Sequence, residues 1–231
     1  KWNVGWSWFK LKVINFNNHE FKINNDGILF WLEKKIAIVS DLHLEKGSSF
    51  ASSGQFIPPY DSEETLKKLI NFLKTHEVQT IILLGDTFHD GGALNRMSSK
   101  VKSIFDSLVE NYEIIFVLGN HENKMKSAFI KFYERYIVDD IHFLHEAVLE
   151  KKYQISGHFH PVASLKINSK KITEKCLIHS ENHIIMPAFG EFTGGLNINN
   201  PVFKPFLNRN YYIYLLTKKS VYKFTSHDIK T

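Results

Sequence analysis

Sulfur is scarce in this chain: Cys176 is the only cysteine, beside three methionines. A lone thiol makes no intramolecular disulfide and no zinc finger, so the sequence reads as a protein of a reducing cytoplasm, with Cys176 as a buried apolar filler. Hydrophobic runs are short. None approaches the ~20 consecutive apolar residues that a spanning helix requires, and no membrane partner is expected. Residues 1–10 carry Trp2, Trp6 and Trp8 among polar neighbours and lack the apolar stretch and cleavage site of a secretory leader. Internal repeats, low-complexity tracts and linkers rich in Gly, Ser or Pro are also missing, so one domain over residues 1–231 is expected. Acidic residues number 24 against 29 basic ones, for a net charge of +5. That excess favours an anionic partner without specifying one. Lys151–Lys152, Lys170–Lys171 and Lys218–Lys219 read as solvated turns between strands.

What the chain does have is a run of short, fully apolar strands punctuated by polar clusters. Phe21–Ile23 and Ile28–Leu32 flank Asn24-Asn25-Asp26-Gly27 and predict an N-terminal β-hairpin over 20–33, because Asn, Asp and Gly tolerate the positive φ of a tight turn. Ile36–Val39, Ile81–Leu84 and Ile114–Leu118 read as central strands buried on both faces. Between them lie two helices at 3.6-residue spacing. One begins at a capping-box-like Asp61 and Glu64 and continues through Leu66, Leu69, Ile70 and Leu73; the other carries Val101, Ile104, Phe105 and Leu108. Strand, helix, strand, helix, strand implies a parallel sheet with crossover connections. A third helix is expected at about Asn123–Tyr136. Short strands then follow at Ile141–Leu144, Gln154–Ser156, Ala163–Ile167 and Ile184–Met186, with C-terminal strands over 211–225.

Each of the apolar strands that matter ends in a cluster of metal-competent side chains, and open α/β sheets bind ligands beyond the carboxyl ends of their strands. The clusters are Asp41-Leu42-His43, then Gly85-Asp86-Thr87-Phe88-His89-Asp90, then Gly119-Asn120-His121-Glu122, then His145, and last Gly157-His158-Phe159-His160. Singly, each is common by chance. Jointly they offer Asp, His and Asn without sulfur, a donor set for hard or borderline divalent ions such as Mn²⁺, Fe or Zn²⁺. Asp41, His43, Asp86, Asn120, His145, His158 and His160 are too many ligands for one ion that keeps an open position, but suit two. Two ions ~3.5–4 Å apart polarise a phosphoryl oxygen and generate a hydroxide near neutral pH. Asp86, released by Gly85, is the natural bridging carboxylate. His121 remains as a general acid for the leaving oxygen. His142, three residues before His145, faces the other way, and the histidines outside the clusters read as surface or packing residues.

In this order the five blocks resemble the calcineurin-like metallophosphoesterases, whose signature runs D-x-H, G-D, G-N-H-E/D, H and G-H-x-H. The resemblance covers roughly Ile36 to Gly195. It implies an α/β fold built as a four-layered α/β/β/α sandwich of the metallo-dependent phosphatase type, with a dinuclear site at one edge. Carried over by motif position, Asp41, His43, Asp86 and His160 would hold one ion and Asp86, Asn120, His145 and His158 the other, with His121 as proton donor. Asp41-Leu42-His43-Leu44-Glu45-Lys46, Leu144-His145-Glu146, Gly157-His158-Phe159-His160-Pro161, Pro187-Ala188-Phe189-Gly190 and Phe192-Thr193-Gly194-Gly195 further resemble the bacterial DNA-ligase-associated members. That resemblance implies Mn²⁺-dependent phosphodiester hydrolysis, on 2′,3′-cyclic nucleotides or nucleic-acid ends, and a functional link to a DNA ligase. Another substrate, including a phosphomonoester, is the alternative. A non-catalytic protein-binding scaffold of this fold is a third reading, and the intact ligand set argues against it.

The chain departs from the family at two places. Many members carry Asp three residues after the Gly-Asp carboxylate to orient the catalytic His; here that position is His89, with Asp90 next, which leaves the partner of His121 open. The usual Gly after Asp-Leu-His-Leu is Glu45, expected to place a negative charge near the phosphate entrance. Lys46, His89 and Arg96 are the expected phosphate contacts. Phe189, Phe192, Gly194 and Gly195 read either as a wall for a base or as a packed turn.

Overall fold

A computed structural model describes residues 11–52, 54–55, 60–122, 130–167, 170–207 and 210–228. Its first sheet has seven strands in the order β1 (Lys12–Phe16), β2 (His19–Ile23), β3 (Leu29–Trp31), β4 (Ile36–Val39), β5 (Thr80–Leu84), β6 (Glu113–Val117) and β7 (Phe132–Tyr133). β1 to β4 pair antiparallel and β4 to β7 parallel. The predicted hairpin is β2–β3, whose Asn24 side chain accepts from Asp26 N and Ile28 N. Among the described residues, the crossovers between β4, β5 and β6 hold the helices α1 (Lys46–Ser52), α2 (Asp61–Leu73), α3 (Ala93–Arg96) and α4 (Ser99–Asn111).

The second sheet has nine strands, ordered β14 (Leu196–Asn197), β11 (Pro161–Ile167), β12 (Lys170–His179), β13 (His183–Ile185), β10 (Tyr153–Ser156), β9 (Ile141–Leu144) and β8 (Tyr136–Val138). β15 (Tyr212–Leu216) joins β12 and carries β16 (Val221–Thr225) outside it. β9, β10 and β13 run parallel to one another. The carboxyl ends of β9 and β10 deliver residues to the same edge as those of β4, β5 and β6.

The alternation of a strand divides each apolar run between two cores. Ile36, Ile38, Ile82, Leu84, Ile115 and Val117 face the second sheet and pack with Phe143, Ile155, Leu177, Ile184 and Tyr214. Ala37, Val39, Ile81, Leu83 and Phe116 face outward, where Leu66, Leu69 and Phe72 of α2 and Val101, Phe105 and Leu108 of α4 cover them. A third core on the far face of the second sheet holds Cys176, Ile178, Ile213 and Leu215 under Phe203 and Phe206 of a 3-10 helix, Pro201–Phe206. The mixed α/β architecture with two facing sheets is that of the metallo-dependent phosphatase fold.

Several expectations are corrected. No helix runs to Tyr136: residues 123–129 of that prediction lie outside the described residues, and the remainder holds β7 and the start of β8. Asp61 does not cap its own helix. The N-cap is Tyr60, without a side-chain bond, and the Asp61 carboxylate accepts from Gly47 N at 2.8 Å, so it joins α2 to α1 instead. Lys170 and Lys171 open β12 rather than forming a turn. β1, β12 and the short α1 and α3 had no clear periodic signal, since they are set by pairing and packing at long sequence separation. Trp2, Trp6 and Trp8 lie outside the described residues.

Candidate metal centre

The loops after β4, β5, β6, β9 and β10 converge at one edge, and their backbones are strained to do so. Asp41, His43, Asp86, His158 and His160 all have positive φ, between 46° and 69°. Left-handed backbone is unfavourable for side chains other than Gly, and such residues persist only where their surroundings over-determine them. Here the surroundings are hydrogen bonds between the loops. Asp41 N donates to Gly85 O, His43 N to Asp86 O and Leu44 N to Thr87 O, at 2.9–3.2 Å. His158 N donates to Asp41 Oδ2 at 3.0 Å, and Ser40 Oγ donates to the same oxygen at 2.5 Å. Gly85 has φ +77°, and a Cβ added there would lie 2.5 Å from His145 Nδ1.

The side chains so placed form one cluster. His160 Nε2 lies 3.0 Å from Asp41 Oδ1 and 3.4 Å from His43 Nε2. His145 Nε2 is 3.2 Å from His158 Nδ1, which is 3.3 Å from Asn120 Nδ2. Asp86 Oδ2 sits between the two halves, 4.0 Å from His43 Nε2, 3.5 Å from His145 Nε2 and 3.7 Å from His121 Nε2. Asp41 also reaches both halves, its Oδ1 lying 4.0 Å from His145 Nδ1. The triads Asp41–His43–His160 and Asp41–Asp86–His145 each have ligand atoms close enough to share a cation, and so does His43–His89–His121.

The electrostatics favour a cation. Burial would raise the Asp41 carboxyl, but the His160 and His145 imidazoles and Ser40 outweigh it and hold the group at about 2. Burial drives His43 down to about 3 and also lowers His158 and His89. His160 is the exception: burial lowers it, yet the adjoining Asp41 raises it on balance. Ionised carboxylate beside neutral imidazoles is the protonation state that metal binding demands. His43 Nδ1 is buried without a hydrogen-bond partner, and ring nitrogens face one another across the cluster. Oxygen and imidazole donors gathered in this way fit divalent ions. Cys176 is buried in the third core, so it is remote from the cluster, and burial pushes its thiol pKa up.

Asp90 does not orient His121, because its carboxylate is bound by Arg96 Nη2 at 2.7 Å. His121 Nδ1 instead lies 2.5 Å from the backbone carbonyl of His89, and the His89 ring stacks on the His121 ring at 5.3 Å. Arg96, expected at the phosphate, donates from Nη2 to Asp90 and from Nε to Ser48 Oγ. Lys46 donates to Phe192 O at 3.2 Å, and burial lowers its pKa. Glu45 is buried, with its carboxylate accepting from Ser48 Oγ at 2.6 Å. Phe189 is fully buried, whereas Phe192 is exposed. His142 lies in β9 outside the cluster.

One residue was missed. Glu122 is buried at the centre of the β5 and β6 loops, where its carboxylate accepts from Asp86 N, Phe88 N and Gly119 N at 2.9–3.0 Å. The fourth letter of Gly119-Asn120-His121-Glu122 was the available signal. An acidic side chain beside so many ligands looks like another ligand until the loop N–H groups are located.

The calcineurin-like phosphoesterase family model matches residues 34–210, spanning every one of these loops. The chain belongs to the calcineurin-like phosphoesterase family. Among solved structures of similar fold, the nuclease MPE of Pseudomonas putida is 23% identical, with a TM-score of 0.73 over 93% of this chain and 100% of that one. The E. coli phosphoesterase YfcE is 11% identical, with a TM-score of 0.40 over 82% of this chain and 97% of that one. No curated protein matches the chain. This phosphoesterase has its Asp and His donors at the carboxyl edge of two facing sheets. Among the described residues no helix is long and apolar enough to cross a membrane.

Proposed function

We propose that the chain is a dinuclear, Mn²⁺-dependent phosphodiesterase acting on 2′,3′-cyclic nucleotides or nucleic-acid ends, with His121 as general acid. The observation that carries this reading is the position of His121. Its Nδ1 is held by a backbone carbonyl, and its Nε2 faces Asp86 Oδ2 at 3.7 Å, beside the donor cluster. A carbonyl can only accept, so it keeps the proton on Nδ1 and reserves Nε2 for proton exchange with substrate.

In this reading Asp41, His43, Asp86 and His160 hold one ion and Asp86, Asn120, His145 and His158 the other. Such an ion pair supplies Lewis acidity toward the phosphoryl group and a nucleophile drawn from water. Asp86 is the carboxylate shared in this reading, its Oδ2 lying between His43 and His145. A diester is favoured over a monoester because one of the nearby cations, Arg96, is neutralised by Asp90. A monoanionic diester needs less positive charge than a dianionic monoester. The fold shared with a nuclease agrees with that choice. A functional link to a DNA ligase in the cytoplasm extends the proposal, since cleaning a blocked end precedes its joining.

Elemental analysis of the Mn²⁺-loaded protein should find two ions per chain. Rates on 2′,3′-cyclic nucleotides, bis-p-nitrophenyl phosphate and an end-blocked oligonucleotide should exceed that on p-nitrophenyl phosphate; preference for the monoester refutes the diester assignment. His121→Ala should retain both ions and lose roughly 10²- to 10⁴-fold in kcat. Equal rates in the two proteins reject the role of His121.

A further inference from the structure

The segment that follows β13 is tied to the metal-binding edge along its whole length. Phe189 N donates to Ser40 O and Gly190 N to Asp41 O, at 2.8 and 3.1 Å. Lys175 Nζ donates to Ala188 O and Gly190 O, Glu191 N donates to Thr65 Oγ1, and His160 Nδ1 bonds Gly194 O. In the middle of this pinned stretch stands Phe192, 48% exposed and with φ +54°. A bulky aromatic residue gains nothing from left-handed backbone and, when exposed, forgoes the burial that normally favours its ring. Hydrogen bonds on both sides hold the backbone there, but among the described residues the cost of the exposed ring is not recovered.

The surroundings of Phe192 indicate what would recover it. Its carbonyl accepts from Lys46 Nζ, and that ammonium lies 5.7 Å from the centre of the Phe50 ring. Phe50 packs on His89 at 5.5 Å, and His89 stacks on His121. An aromatic row thus leads from the proposed general acid to a lysine, with Phe192 beyond it. A cation beside one aromatic face, with a second, exposed ring on the residue whose carbonyl it binds, is the chemistry that takes an unpaired nucleobase together with its phosphate, because every base has a π-face while its backbone is anionic.

We propose that Phe192 is the stacking platform for an unpaired nucleobase, which makes the substrate a nucleotide or a single-stranded end rather than a paired duplex or a base-free diester. This rests on the phosphodiesterase reading. The base stacks on the exposed ring while Lys46 meets the backbone charge, and Phe189, buried beneath, holds the segment to the core.

The test compares wild type, F192A and F192W on 2′,3′-cyclic AMP and on glycerol 1,2-cyclic phosphate, which keeps the cyclic diester and lacks a base. In F192A the ratio of kcat/KM for the nucleotide to that for the glycerol ester should fall roughly 5- to 100-fold through KM, the range for loss of one stacked base. F192W should restore it. An unchanged ratio overturns the proposal, whether both substrates slow together or neither does. Binding is read separately from turnover by quenching of 2-aminopurine ribonucleoside 3′-monophosphate fluorescence with the metal-free protein. Saturable quenching that weakens in F192A supports the platform even if neither diester is hydrolysed, an outcome that would discard only the phosphodiesterase reading. Quenching that is identical in wild type and F192A overturns the platform whatever the turnover.

Discussion

Replacing Glu122 with Gln tests how Asp86 is held. The change keeps shape and removes one charge, in a side chain 1% exposed. Oε2 accepts from Asp86 N and Gly119 N, and Oε1 from Phe88 N. A glutamine has only one oxygen, so its amide NH₂ must face at least one backbone N–H. Leaving a buried donor unpaired costs about 1–3 kcal/mol, and turning the surviving charge-assisted bonds into neutral ones costs about 1 kcal/mol each. Part of this is offset. Burial, and then the nearby Asp86, raise the Glu122 carboxyl above its usual range, so the charge itself is disfavoured and its removal returns some stability. A net loss of about 2 kcal/mol remains, or roughly 4–8 °C in melting temperature for a chain of this size. Asp86 shifts with its own N–H, so Mn²⁺ affinity should fall roughly 10- to 100-fold, as for other partners that orient a ligand. Urea unfolding of the metal-free protein and calorimetric Mn²⁺ titration give the two numbers. If E122Q matches wild type within about 0.5 kcal/mol and binds Mn²⁺ equally well, Glu122 does not organise the site and the reasoning fails.

Gly85→Ala should lose roughly 1–3 kcal/mol, because the left-handed φ penalises a Cβ and that Cβ meets the His145 ring; thermal melts and Mn²⁺ titration should both shift, and an unchanged metal affinity would clear His145 of dependence on this turn. Lys175 is a second target. Burial, helped by Lys68, lowers it from 10.5 to about 8, so between those values the folded chain binds fewer protons than the unfolded one and stability rises as pH rises from about 8 to 10.5. The gain is at most about 3 kcal/mol, and Lys175→Met should remove that rise from the pH-dependent unfolding free energy; parallel curves for the two proteins would contradict it. Cys176 should not react with Ellman's reagent until the chain unfolds, since its thiol is buried and its pKa is raised. Rapid labelling of the folded protein would place that thiol elsewhere than in the core.

The extent to which the site was legible before folding follows from particular residues. Ile36–Val39, Ile81–Leu84 and Ile114–Leu118 are apolar without a break, because both faces of a central strand are covered, and that pattern survives in one dimension. The polar residue that stops each run therefore lies at a sheet edge, so Asp41, Asp86, Asn120 and His121 could be placed together from order alone. β12 escaped notice because its alternation serves different neighbours along its length, pairing with β11 at one end and with β13 and β15 at the other. Asp61 misled because an acid at a helix start looks like a cap, and only the approach of α1 shows Gly47 N as its partner.

Residue order by itself thus determined the chemistry: which donors the protein owns, that thiolate is not among them, and that each follows a buried strand. Which atom faces which was decided by the folded molecule. The carbonyl of His89 in place of a carboxylate behind His121, Glu122 gathering loop N–H groups, Arg96 closed on Asp90, and Phe192 left in solvent while Phe189 is buried all depend on contacts between segments far apart in the chain. Local propensity carries no record of such distances. They arise only when two sheets close on a common core and strain their loop ends into left-handed turns.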